Sequence, residues 1–446
     1  MNPALVVGIG AALLISSGIF QSDADQSNPS FLSTQTAQIN SVSNLITEQD
    51  SSPVVRRSSN LRGLVIDPVP NFNFVPPPTF PEDVDFVQTA TFSVNFNGES
   101  CAATSTPWPG DAATAFSFAT SIWGSLISSP VTIEVDACWD SLPNALGTAG
   151  PTRLFFSDDS SFVLPSALAD SLMGSDQNPG SADITANFNR DFTSWYFGTD
   201  GATPANQADF VSVILHEIGH GLGVAGSGML SGNIGSVGLD VPNWGTVPIV
   251  YDVFTTDSDG RSLLDPAAYA NPSAALGSVL TSPGNLFFNG VNAASANFGL
   301  PVELFSPVQY LPGSSYNHLD DGTFDGTPNA LMTHSIAFGE VAHDPGPVVL
   351  GLLQDLGWQL NPIISQSPAV SSPLAGAVLG SPSESFSWSA NGAAVDEWWI
   401  YAGSTLGSNN YHDSGNLLGA LGTTVSGLPS DGSTCLLYTS PSPRDS

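Results

Sequence analysis

The chain has no lysine. Its 446 residues carry 40 Asp and Glu against 7 arginines, for a formal net charge of −33. Charged residues are only 11% of the total, so the imbalance comes from missing bases rather than from dense acids. A surface of this kind repels nucleic acid and anionic membrane, and it suits solubility outside the cell or attraction of divalent cations. Cysteine is nearly as scarce, with three in all. One of them, Cys435, opens CLLYTSPSPRD, which reads like the translation of a sequencing adapter; residues 435–446 are therefore expected to be an artefact. Cys101 and Cys138 remain, an even pair for which a disulfide is expected in an exported chain, with two buried thiols as the alternative.

One long apolar run is present. Residues 4–20 are uncharged, and Ser22, Asp23 and Ala24 supply small residues for cleavage, so residues 1–24 are expected to be a signal peptide and the mature chain secreted, without a membrane anchor. Residues 25–87 are rich in Ser, Gln, Asn and Pro with little periodicity, as in a linker or pro-segment. That segment has no cysteine, so latency by a thiolate blocking a metal is not available to it.

Order is expected from about residue 88. Phe92, Val94 and Phe96 alternate with polar residues as in a half-buried strand. Ala112, Phe116, Ala119, Ile122, Trp123 and Leu126 recur at helical spacing, and Pro130 stops that helix. Val131, Ile133, Val135 and Ala137 alternate again. Residues 153–157 predict a third strand, residues 165–173 a short helix, and DITANFN over 183–189 a further strand. The plan is α+β with a mixed sheet over residues 88–361, including a Gly- and Pro-rich insertion over about 227–315. Its TTDSDG, and HLDDGTFDG just beyond it, cluster aspartates that could hold Ca2+; neither has a full calcium-loop spacing, and solvated acidic turns are the favoured reading. Beyond residue 362, SESFSWSA, DEWWIYAG and GTTVSGL predict a β-sandwich of immunoglobulin or fibronectin type over 362–434, lacking its last strands.

The chemistry concentrates in DFVSVILHEIGHGLGVAG, residues 209–226. On a helix, His216 and His220 fall on one face and can reach one metal ion, with Glu217 beside them as a general base. This is the HExxH pattern of a zinc site, although a buried helix with two hydrogen-bonded histidines would also produce it. Gly221 and Gly223 follow, where a helix should end.

HEIGHGLG, a distant His318 and NALMT resemble the metzincin metalloproteases. Most of that group carry a third histidine three residues past the glycine matching Gly223; here Gly226 stands there and cannot ligate. The leishmanolysin-like branch inserts a long segment before the third histidine, which then shortly precedes a methionine turn. His318 followed by Leu331, Met332 and Thr333 is similar to that arrangement, although His334 stands where a proline is common. The resemblance covers roughly residues 88–360. It implies Zn2+ held by His216, His220 and His318, Glu217 as general base, Met332 beneath the metal, and peptide hydrolysis. It also implies an extended protein or peptide substrate along an edge strand, expected at Asp183, Ile184, Thr185, Ala186 and Asn187. His334 and His343 are rival third ligands. Two other readings stay open: a non-catalytic surface or adhesion protein with a decayed metal site, and a zinc peptidase whose third ligand is Glu303 or Glu340.

Overall fold

The computed structural model describes residues 63–67, 73–78, 89–157 and 161–361, and shorter stretches between 369 and 441. The signal-peptide stretch lies outside the described residues. No helix among the described residues is long and apolar enough to cross a membrane. The chain divides into two compact units, one of them holding residues 28–78 and 86–361.

The chain enters described structure at β1 (Val65–Asp67) and β2 (Phe74–Val75), followed by β3 (Phe92–Phe96) and α1 (Gly110–Leu126). Then come β4 (Ile133–Asp140), β5 (Gly147–Pro151), α2 (Ser166–Met173), β6 (Ile184–Asn189) and α3 (Phe210–Leu222). After the insertion follow β7 (Ser335–Ala337), β8 (Val341–Ala342) and α4 (Gly346–Leu356). The central sheet has the order β3-β4-β6-β5. Its first three strands are parallel and β5 is antiparallel to β6, with Gly147 opposite Phe188 and Pro151 opposite Ile184. The class is α+β with a mixed sheet, as the alternating pattern predicts.

Helical spacing picks out the right face of α1: Ala112, Phe116, Ala119, Ile122, Trp123 and Leu126 are all buried. That face meets α3, where the Trp123 indole donates to Leu215 O at 3.1 Å. Trp108, Phe116, Phe188 and Phe210 fill the space between sheet and helices, with ring centroids 5.4 to 6.2 Å apart. Aromatic contacts at such distances add to the burial that drives the packing. Cys101 and Cys138 are disulfide-bonded, tying the loop after β3 to the middle of β4.

Two expectations need correction here. The strand over 183–189 forms, but it is an inner strand. β6 pairs with β4 on one side and β5 on the other, and Asp183 is pinned beside it, its carboxylate accepting from Glu134 N at 2.9 Å. Asp183, Ile184, Thr185, Ala186 and Asn187 therefore offer no free edge to a substrate. The edge belongs to β5, whose sequence GTAGP carries a proline and two glycines. Proline lacks the amide a ladder needs and is confined to edges, and neither residue gives an alternating signal, so the strand is hard to read from sequence. The second correction concerns the linker. Within it, β1 runs parallel to β7 and β2 parallel to β8, and Leu64 and Val75 are buried.

The insertion is ordered. It holds hairpins of Met229–Ser231 with Ile234–Ser236 and of Leu239–Val241 with Gly245–Val247. A small sheet of Thr255–Thr256, Phe287–Phe288 and Val302–Glu303 follows. Its acidic loops are spoken for: Asp257 pairs with Arg261 at 2.7 Å, Asp320 caps a short helix at Thr323 N, and Asp321 accepts from His334 N.

The described residues from 369 to 441 belong to the other unit. They form two three-stranded sheets. One joins Ala369–Ser372, Ser383–Ser389 and Gly422–Ser426; the other joins His412–Asp413, Trp398–Gly403 and Leu436–Pro441. Trp388 and Trp398 are buried with ring centroids 5.8 Å apart, as a sandwich core requires. The strand Leu436–Pro441 falls within residues 435–446, the stretch expected to be an artefact.

Candidate metal centre

Helix α3 begins at Asp209, whose carboxylate accepts from Ser212 N at 2.8 Å, an N-cap that satisfies a free helix amide. All thirteen residues of the helix are buried, including His216, Glu217 and His220. Gly223 ends it at φ 121°, a backbone conformation that a side chain would strain. Gly219, between the two histidines, allows a close approach: a Cβ there would lie 2.8 Å from Met332 Sδ. Met332 is fully buried beneath the helix.

His318 arrives from the end of the insertion and completes the cluster. The three Nε2 atoms lie 3.0 Å (His216 to His220), 3.1 Å (His220 to His318) and 3.2 Å (His216 to His318) apart. Each Nδ1 meets a backbone carbonyl: His216 with Leu331 O at 2.7 Å, His220 with Val224 O at 2.7 Å, His318 with Ser314 O at 2.8 Å. A carbonyl can only accept, so each Nδ1 carries the proton and each Nε2 presents a lone pair. Three lone pairs facing one another at this range repel unless a cation lies among them. Points so spaced all fit about 2 Å from one atom, the zinc–imidazole distance. Burial, reinforced by the neighbouring histidine, holds His216 and His318 well below the ordinary histidine pKa, so both are neutral and competent to ligate. Among the described residues, this is the group of side chains placed to share a metal ion.

Glu217 is fully buried beside the cluster. Burial pushes its carboxyl up to about 8, with the Leu64 and Ala149 amides pulling the other way. Oε1 accepts from Leu64 N at 3.3 Å, and Oε2 has no hydrogen-bond partner.

The rival ligands are elsewhere. His343 pairs through Nε2 with Asp209 at 2.7 Å, at the opposite end of α3. His334 pairs through Nδ1 with Asp321 and stacks on Phe305, centroids 3.9 Å apart. Glu303 accepts from Thr323 Oγ1 at 2.8 Å and Glu340 from Ala337 N at 2.8 Å. None of the four joins the three histidines. Sequence reasoning missed Leu64, which touches Glu217, and Tyr316, which has φ 78° and is buried beside His318. The apolar run GLVI inside the polar linker was the available signal for the first; an isolated tyrosine gave none for the second.

A family model described as SPBPB7E8-like matches residues 116–231, from within α1 past the end of α3. The match includes His216, Glu217 and His220, stops before His318, and falls well short of half the chain. No curated protein and no solved structure matches the chain.

Proposed function

We propose that the protein is a secreted zinc-dependent endopeptidase of metzincin type with a leishmanolysin-like third ligand. The observation that carries this reading is the convergence of three Nε2 lone pairs, each fixed by a carbonyl at Nδ1, beside a buried glutamate with an unengaged oxygen. His216, His220 and His318 would hold the metal, and Zn2+ suits three neutral imidazoles. Bound there, zinc supplies a Lewis acid that polarises a carbonyl and acidifies water.

The chain's own residues do the rest. Glu217 Oε2 is placed to take a proton from the attacking water and return it to the leaving amine. The carbonyls of Leu331, Val224 and Ser314 fix the ring planes of the ligands. The outer edge of β5 would bind an extended peptide through backbone bonds. The Cys101–Cys138 disulfide supports export to an oxidising compartment. A non-catalytic metal protein would have no use for Glu217 in this position. Zinc per chain after dialysis, with hydrolysis of an unstructured protein, tests the reading; a chain that binds no zinc, or binds it and cuts nothing, overturns it.

A further inference from the structure

We infer that residues 63–67 lie in the substrate groove of their own chain, seated as a substrate, and that the bond between Gly63 and Leu64 is a self-cleavage site. This rests on the peptidase reading and extends it to a particular bond and side-chain preference.

The strap is held on both sides. Leu64 O accepts from Leu146 N at 2.8 Å, just before β5, while Val65 N donates to His334 O at 3.4 Å, just before β7. Val65, Ile66 and Asp67 then pair in parallel with Ser335, Ile336 and Ala337. Gly63 lies against Gly147 and Thr148 while Leu64 bonds to Leu146, so the strap runs antiparallel to the edge strand. It is an added strand between two walls, the manner in which an extended peptide is gripped by main-chain bonds. Gly63 must be glycine here, because a Cβ would fall 1.4 Å from Gly147 O, a backbone atom that cannot swing away.

The bond that faces the chemistry is fixed by the same contacts. Leu64 N donates to Glu217 Oε1 at 3.3 Å, so the nitrogen in reach of the carboxylate is the one that would leave if the bond before it were cut. Hydrolysis adds one water across that bond: the C–N bond breaks, Gly63 keeps a carboxylate, and Leu64 becomes a new N-terminal amine by taking the proton Glu217 had accepted. The Leu64 side chain is buried and lines a small cavity with Ala330, Leu331, Ile336, Glu340 and Ala342. The close approach to Gly147 O sets glycine before the cut, and the pocket sets a mid-sized aliphatic side chain after it. While the strap is in place it also keeps other peptides out.

The test compares the zinc-loaded full chain with its Glu217→Ala variant by intact mass and N-terminal sequencing. The expected result is a new N-terminus at Leu64 in the first and none in the second. Gly63→Val and Leu64→Asp, which keep the three histidines and the Glu217 carboxylate in the chain, should each suppress that cut at least tenfold. A readout without turnover uses a labelled peptide of residues 60–70. It should bind the Glu217→Ala, Leu64→Asp double variant, whose strap is displaced, at least tenfold more tightly than Glu217→Ala alone. A zinc-loaded wild type that digests an unstructured protein yet leaves its own chain and the 60–70 peptide uncut between Gly and Leu overturns the inference and spares the peptidase reading. A chain that cuts nothing while the double variant binds the peptide overturns the peptidase reading and the self-cleavage together, leaving the strap as groove occupant alone.

Discussion

Gly226 and Tyr316 share one space: a Cβ at Gly226 would come within 2.2 Å of Tyr316 Cε1. Gly226 N donates to Asn317 Oδ1 at 2.8 Å, so the returning end of the insertion docks where the chain leaves the metal helix. His318 is the next residue and takes up the ligand position that Gly226 cannot fill. The Tyr316 hydroxyl donates to the buried Asp252 at 3.0 Å, and Asp252 also accepts from Ser227 N and Ile249 N. Gly226→Ala should therefore overpack this junction, costing about 1–3 kcal/mol of stability. Tyr316→Phe should keep the fold and weaken zinc by about 10–100-fold, as loss of outer support does at metal sites. Thermal unfolding and chelator competition measure the two effects.

Ligand and base should separate cleanly. His318→Ala removes one of three metal donors and should lose most bound zinc. Glu217→Ala should keep zinc and lose about 10²–10⁴ in hydrolysis, the range for a general base. His334→Ala and His343→Ala should both retain the metal, since their rings serve Asp321 and Asp209. Zinc analysis after dialysis together with a quenched-peptide rate decides; full zinc in His318→Ala would exclude that ligand.

The disulfide should matter for stability and not for the metal. Cys101→Ser with Cys138→Ser opens a loop spanning 37 positions and should cost about 2–4 kcal/mol. Zinc stoichiometry should be unchanged, because both cysteines lie in and before β4 and none of the ligands does. Denaturant melts of the oxidised and double-serine proteins give the difference.

A pH dependence follows from Asp170 and Asp183, both buried with their carboxyls interacting. Burial raises both, and for Asp170 the charge of Asp183 adds to it. The folded state then holds a proton that the unfolded chain, titrating near the ordinary ~3.9, has released. That contribution to stability is present at acid pH and is lost as pH rises above the ordinary carboxylate range. Melting temperature should fall from pH 5 toward pH 8 in the wild type and fall less in Asp170→Asn. The residual slope would come from Glu217, Glu340, Asp252, Asp344 and Asp355, which burial also raises. An identical slope in the variant would remove Asp170 as a source.

What could be read from the sequence was what local spacing encodes. The i, i+4 histidines, the apolar stripe of α1 and the alternation in β3 and β4 are all one-element signals; they place the two histidines, the buried face of α1 and both strands, although burial along β3 does not alternate and Phe96 is exposed. His318 was reachable only through the resemblance to the metzincins, which implies a methionine turn following the third ligand and so favours His318 over His334 and His343. The edge strand was not, since GTAGP has no apolar alternation and only one branched side chain, Thr148, and becomes a strand by pairing with β6. The strap was missed for the same reason: its strand exists through β7 and the Leu146 amide, partners hundreds and tens of residues away.

The metal helix is pinned at both ends. Asp209 joins its start to His343, and the Trp358 indole donates to Leu222 O at 2.8 Å at its finish. His216 and His220 thus ride on a helix fixed at both ends, whereas His318 lies on the insertion's return, held by the bonds of Phe305 N to His318 O and Leu319 N to Met332 O, both 2.9 Å. A bound ion would then be released through the insertion's return, where single backbone bonds rather than a helix hold the ligand. The off-rate should be governed by opening of the insertion's return, and amide exchange near residues 314–318 should outpace exchange across α3 by orders of magnitude.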